Sequence, residues 1–227
     1  MRFEDLNWMD VENYLKTDDR LLLVLGACEE HGYLSLLTDI KIPLALASAA
    51  SEKTGVPVAP PLNFGISPYF AKYPGTISLR TQTFLAGVED IVRWVHAQGF
   101  KRLLFVNGHG GNNPATALLA ELVNDLPDLK VGWYSWWAAP SVTALAESAG
   151  LVSNHAAWIE AFRFCRVADL PEGVKQPVEA SRILNAGETR ALYGDGVFGG
   201  PYSADEALMQ RIFDAAVADI VEKLRFE

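Results

Sequence analysis

The chain has 227 residues, 50% of them apolar and 21% charged, which suits one α/β domain that can bury its own core without staples. A formal net charge of −9 and the lack of a long basic run exclude a general phosphate-backbone binder, so no nucleic-acid partner is expected. Two cysteines, Cys28 and Cys165, without Cys-x-x-Cys spacing argue for a reducing compartment and against a disulfide framework. The opening MRFEDLNWMD shows no secretory pattern, and no apolar run approaches the roughly 20 residues that span a bilayer; a cytoplasmic protein with no membrane partner is expected.

In chain order, LLLVLGA (21–27) reads as a buried strand, an alanine-rich helix covers 43–54, and VPVAPPL (56–62) reads as a second strand. Segment 81–98 sets Phe84, Val88, Ile91, Val92 and Val95 at helical spacing and stops at Gly99, a good residue just past a helix end. RLLFVNG (102–108) is a third strand, 113–125 a helix with Pro114 at its start, LKVGWYSW (129–136) a fourth strand, and about 204–226 a last helix. The strands are continuous apolar runs, as in sheets covered on both faces. The expected architecture is a single unit over 1–227, a three-layer αβα with a mostly parallel central sheet.

In such sheets, sites form beyond the carboxyl ends of the strands. Two strands end in concentrated chemistry: the first runs into GACEEHGYLSLLTD (26–39), the third into NGHGGN (107–112). If the first strand's extended backbone persists, Glu29 and His31 face one volume and Glu30 the other side. Asp39 is a candidate ligand from the same stretch, or a helix N-cap. Of four histidines, His96 reads as a surface residue, while His31, His109 and His155 sit in polar or glycine-rich junctions. Imidazoles grouped with carboxylates suit Zn²⁺, Mn²⁺ or Fe²⁺. Gly108, Gly110 and Gly111 would permit positive φ and close approach to a ligand, with Asn112 or Asn113 capping the next helix. A phosphate cradle ranks lower, because the Walker lysine is missing.

These segments, with SPYFAKYPGTISL (67–79), resemble the creatininase (creatinine amidohydrolase) family, whose motifs are usually E-Q-H-G with a following T-D, F-P-G-T-I-S-L and N-G-H-G-G-N. HAAWIE (155–160) is similar to the family's H-A-G-x-x-E-T-S, and GDGVFGGP (194–201) to its glycine-rich C-terminal segment. The resemblance implies a three-layer α/β fold and a two-metal centre hydrolysing an amide or cyclic amide C–N bond through a metal-bridged hydroxide. It implies Glu29 and His109 on one ion, His31 on the other, and Asp39 bridging. In creatininase itself the third motif reads N-G-H-Y-E-N with its Glu as a ligand; Gly111 stands there in this chain, and Glu160 is the expected replacement. His155 is implied as the general acid for the leaving nitrogen.

Substrate contacts are expected from Ser67, Tyr69, Gly110 and Trp136, with Trp133, Tyr134 and Trp137 as further candidates for walling a flat substrate or for packing. The loop between His31 and Asp39 is one residue shorter than the usual form, so a shifted geometry is expected there. Cys28 reads as packing and Glu30 as a bystander. The implied cofactors are two divalent ions per chain and the implied partner a small-molecule amide, in a homo-oligomer for which the family suggests a hexamer. The competing readings are a formamide deformylase, a peptide-trimming hydrolase, and a metal-binding or structural subunit with weakened catalysis.

Overall fold

Three of the four expected strands form in the computed structural model, which describes residues 1–227 throughout: β1 (Arg20–Leu25), β2 (Arg102–Asn107) and β3 (Lys130–Ser135). They pair in parallel in the order β1-β2-β3, with Leu25 opposite Asn107 and Asn107 opposite Ser135. The carboxyl ends are therefore level, and the loops that leave them start from one edge. Segment 56–62 is not a strand. Pro57, Pro60 and Pro61 lack N–H donors, so it runs beside β1 with only isolated parallel bridges, Leu22 to Val58 and Leu25 to Leu62.

The helices are α1 (Trp8–Tyr14), α2 (Thr38–Thr54), α3 (Thr81–Ala97), α4 (Ala115–Asp125), α5 (Pro140–Ser148), α6 (Ala186–Tyr193) and α7 (Glu206–Lys223). A two-stranded antiparallel ribbon, β4 (Val174–Lys175) with β5 (Gly200–Pro201), completes the set. Sequence periodicity does not reveal α1, α5 or α6, which have 7, 9 and 8 residues and show too few turns for a pattern. Alternate side chains of the strands feed two cores. Leu22, Val24, Leu104, Val106 and Tyr134 pack with residues of α2, α5 and α7, while Leu21, Leu23, Leu25, Leu103 and Phe105 pack with α3 and α4. The result is the expected three-layer α/β arrangement. No helix is long and apolar enough to cross a membrane.

Helix α2 starts five residues earlier than its alanine content indicates, at Thr38, and Pro43 lies inside it. Pro43 has no N–H, so the carbonyl of Asp39, four residues before it, has no helical donor. That carbonyl presses on the ends of β1 and β2. A Cβ on Gly26 would lie 2.5 Å from it, and one on Gly108 would overlap it and crowd the Pro43 ring. Asp39 is thus not an N-cap: the cap position is Leu37, without a side-chain bond, and Asp39 lies in the first turn, 3% exposed.

The role of the glycines in NGHGGN also differs from expectation. Gly108, Gly110 and Gly111 do not have positive φ. Gly108 is needed for space against α2, and Gly111 because a Cβ there would overlap the carbonyl of Ile66 and the His109 ring. Neither Asn112 nor Asn113 caps α4, whose cap position is Pro114. Asn112 is buried and cross-links three segments: its Nδ2 donates to the Gly26 carbonyl at 3.1 Å and to Asn107 Oδ1 at 3.4 Å, and its Oδ1 accepts from Ile66 N–H at 3.4 Å. Replacing Gly108 with Ala is expected to lower stability by about 1–3 kcal/mol, the usual range for overpacking, read from the urea midpoint. An unchanged midpoint would mean that the first turn of α2 does not lean on the strand ends.

Candidate metal centre

Beyond Leu25 the chain is irregular yet fixed on both sides. Glu29 N–H donates to the Leu36 carbonyl (3.1 Å), Ile77 N–H to the Cys28 carbonyl (2.8 Å), and Glu30 N–H to Thr76 Oγ1 (3.0 Å). The shortened loop still delivers Asp39. Its carboxylate lies between two imidazoles, Oδ1 3.0 Å from His31 Nε2 and Oδ2 3.0 Å from His109 Nδ1. His109 Nδ1 is also 3.3 Å from Glu29 Oε1, and His31 Nε2 is 3.8 Å from Glu160 Oε1. Two groups of candidate ligand atoms, Glu29–Asp39–His109 and His31–Asp39–Glu160, each fall within 4.8 Å and share Asp39; a third joins Glu29, His31 and His155.

The tautomers follow from the outer hydrogen bonds. His109 Nε2 is 2.9 Å from the Ile66 carbonyl, so its N–H donates there and Nδ1 turns a lone pair to the carboxylates. Ser67, 1% exposed, adds its hydroxyl 3.3 Å from the same Nε2. His31 Nδ1 lies 3.3 Å from the Glu29 carbonyl, which leaves Nε2 bare. Asn107 holds the turn by accepting from His109 N–H (3.2 Å) and donating to the His109 carbonyl (2.9 Å).

These lone pairs and carboxylates therefore meet with no hydrogen between them. His31 Nε2, Asp39 Oδ2 and Glu29 Oε2 are buried without a hydrogen-bond partner, although Asp39 is within 3.0 Å of both rings. Such atoms are costly in a core unless a cation completes them. The donor set and the orphaned atoms fit divalent ions.

Without an ion, only protons can sit in the gaps. Burial lowers the His31 pKa, but Asp39 and then Glu160 outweigh it and hold the group well above its ordinary 6.5. His109 is likewise raised, burial being outweighed by Glu29 and Asp39. Burial raises Asp39, yet His31 and His109 pull it below its ordinary 3.8.

Residues 154–165 form no regular helix and carry two 3-10 turns, Trp158–Glu160 and Arg163–Cys165. Ala156 has φ 57°, and its N–H donates to Glu160 Oε2 at 2.6 Å. This reversal lets His155 and Glu160 reach one site, so Glu160 is 8% exposed and not a solvated helix carboxylate. His155 stacks on Phe70 (4.7 Å, 14°) and packs on Phe198 (4.9 Å) and His31 (4.6 Å).

Two expectations fail here. Glu30 is not a bystander: it is 5% exposed, and its Oε1 lies 2.9 Å from His155 Nε2. Trp136 is 1% exposed within the core, while its neighbour Trp137 lines the cavity. A cluster of four aromatics does not disclose which ring turns outward. Ser153, Asn154 and Phe198 also line the site's cavities; Asn154 had a signal in its place beside His155, Phe198 in the glycine-rich segment.

Two openings reach the centre. A polar cavity of about 280 Å³ is lined by Trp137, Ser153, Asn154 and Glu160. A groove of about 820 Å³ is lined by Ile66, Tyr69, Phe70, Ile183, Leu184 and Phe198, among others. Glu29, His109, Gly110 and His155 border both.

A family model described as creatininase, creatinine amidohydrolase, matches residues 4–224. The chain belongs to the creatininase family, a family of amidohydrolases. It is 28% identical over 213 residues, covering 90% of this chain and 84% of the relative, to the mycofactocin precursor peptide peptidase of Mycolicibacterium smegmatis. It is 31% identical over 116 residues, 48% of this chain and 45% of the relative, to the creatinine amidohydrolase of Pseudomonas putida. A mutant creatininase solved in a Zn–Zn form superposes with a TM-score of 0.85 at 22% identity, covering 99% of this chain and 96% of that one.

The site predicts how an ion-free preparation responds to pH. The raised histidines stabilise the fold fully below pH 6.5 and lose that contribution as pH rises through their folded values; Asp39 contributes above pH 3.8 and loses it on acidification. In chelator-treated protein the urea midpoint is expected to fall as pH rises above 6.5. A midpoint that climbs steadily across that interval would contradict the arrangement.

Proposed function

We propose that the chain is a metal-dependent amidohydrolase that holds two divalent ions, Zn²⁺, Mn²⁺ or Fe²⁺, and cleaves an amide C–N bond. The observation that supports this best is the meeting of buried, hydrogen-bond-free ligand atoms on either side of Asp39. In this reading Glu29 and His109 hold one ion, His31 and Glu160 the other, and Asp39 both. The ions would polarise the amide carbonyl and make a water acidic enough to attack near neutral pH. Ile66, through its carbonyl, and the Glu29 carbonyl fix the two imidazoles so that their lone pairs face inward. His155, packed between Phe70 and Phe198, would take a proton at Nδ1 from the attacking water and pass it to the departing nitrogen.

Metal analysis of protein purified without chelator is expected to find about two divalent ions per chain, the count of a two-metal hydrolase. Asp39→Asn is expected to lower the content of both and to remove turnover. Wild-type protein without bound ions, or Glu29→Ala with undiminished turnover, would refute the reading.

A second reading concerns the substrate, and the groove favours it. A small cyclic amide would use only the polar cavity, whereas about 820 Å³ of mostly apolar groove suits an elongated ligand. A peptide-like amide spanning both openings is consistent with the long match to a relative named as a peptidase. Across amides with a constant polar arm and a lengthening apolar arm, kcat/KM is expected to rise about 4-fold per buried methylene, from about 0.8 kcal/mol each. A flat series, with turnover of small cyclic amides, would return the assignment to the non-peptide class.

A further inference from the structure

We infer that Glu30 is a positioning residue that sets the tautomer of His155, so that the imidazole presents a bare Nδ1 to the metal centre. The inference rests on the proposed role of His155 but is observable without it. Glu30 is 5% exposed, and both its oxygens are engaged: Oε1 lies 2.9 Å from His155 Nε2, and Oε2 accepts from Gly32 N–H at 3.2 Å. A carboxylate only accepts, so the His155 hydrogen must reside on Nε2. Nδ1 then faces inward, 3.9 Å from Glu29 Oε1, in the position of a nitrogen that carries a proton to and from the reacting groups.

The surroundings leave the pair little freedom. Phe70 and Phe198 hold the ring, and Phe198 N–H donates to the His155 carbonyl at 3.1 Å. The space for the Glu30 carboxylate is supplied by Gly196, which has φ 95° and where a Cβ would overlap Oε2. This gives the glycine-rich segment 194–201 a task at the site: it makes room for the carboxylate behind His155. The logic is that of the acid behind the histidine in serine hydrolases, which fixes the imidazole in the tautomer that catalysis needs.

Glu30→Gln tests this almost isosterically. Gly32 N–H is a donor and cannot change, so the glutamine oxygen is drawn to it and the amide NH₂ is left facing His155 Nε2. The ring must then accept at Nε2 and carry its hydrogen on Nδ1. With four histidines in the chain, ¹⁵N-histidine labelling gives a readable spectrum of the full-length protein, ion-free and loaded with Zn²⁺. The expected result, at alkaline pH, is the Nε2–H form in wild type and the Nδ1–H form in Glu30→Gln. A kcat lower by about 10-fold or more, with KM and metal content unchanged, is expected alongside, within the range that a positioned proton-transfer group contributes.

The same tautomer in both proteins would overturn the hydrogen-bond assignment. An exchanged tautomer with unchanged kcat on an amide that wild type hydrolyses would overturn the positioning role. If wild type hydrolyses no amide, an exchanged tautomer still supports the Glu30 assignment while the hydrolase reading fails.

Discussion

Four carboxylates are buried in one place, and the rest of the site follows from their charge. Glu29, Glu30, Asp39 and Glu160 are 1%, 5%, 3% and 8% exposed, and their ion-pair partners are histidines. Three neutral imidazoles leave four negative charges in a poorly solvated space, an arrangement of prohibitive cost unless cations enter. Protons can supply part of the balance, which is why His31 and His109 are raised so far. Two divalent ions would supply all of it, displacing those protons as metals generally do. The charge count and the orphaned lone pairs are separate arguments for the same occupants.

The scaffold keeps these charges together through small residues and freed backbone. Pro43 removes the helical donor for the Asp39 carbonyl, and Gly26 and Gly108 let that carbonyl reach the ends of β1 and β2. The first turn of α2 thereby becomes part of the site's floor. Ala156, in the left-handed region, does comparable work on the opposite side by turning His155 and Glu160 inward together. Backbone strain of this kind is tolerated where the surroundings over-determine it, as the bond to Glu160 does here.

Much of this was legible in the sequence, for identifiable reasons. The apolar runs of β1, β2 and β3 and the periodicity of α3 are long enough to reveal layers, and the layers place a site at the strand ends. The motifs EEHG, TD and NGHGGN then name the polar residues that gather there. Segment 56–62 misled because its apolar content resembles a strand while its prolines forbid the ladder. Glu30 misled because the alternation argument needs an extended backbone, and β1 ends at Leu25, four residues before Glu29. Trp136 and Trp137 could not be told apart, since a 3-10 turn decides which ring is inward. The space requirements of Gly108 and Gly111 involve distant chain segments and leave no local trace.

Different groups hold the centre and line its approaches. Orientation of the His31 and His109 imidazoles depends on the backbone carbonyls of Glu29 and Ile66 and on Asn107, not on the side chains of the groove wall. The openings differ in character, one small and polar and the other larger and largely apolar. A scaffold with this division can change substrate by altering groove residues such as Tyr69 and Ile183 without disturbing the charge balance.

The central claim is that Asp39 stands between two cation positions, and anomalous diffraction from crystals grown with Mn²⁺ tests it directly. Two peaks flanking the Asp39 carboxylate are expected, one beside Glu29 and His109 and the other beside His31 and Glu160. A single peak, or ions bound without contact to Asp39, would contradict it.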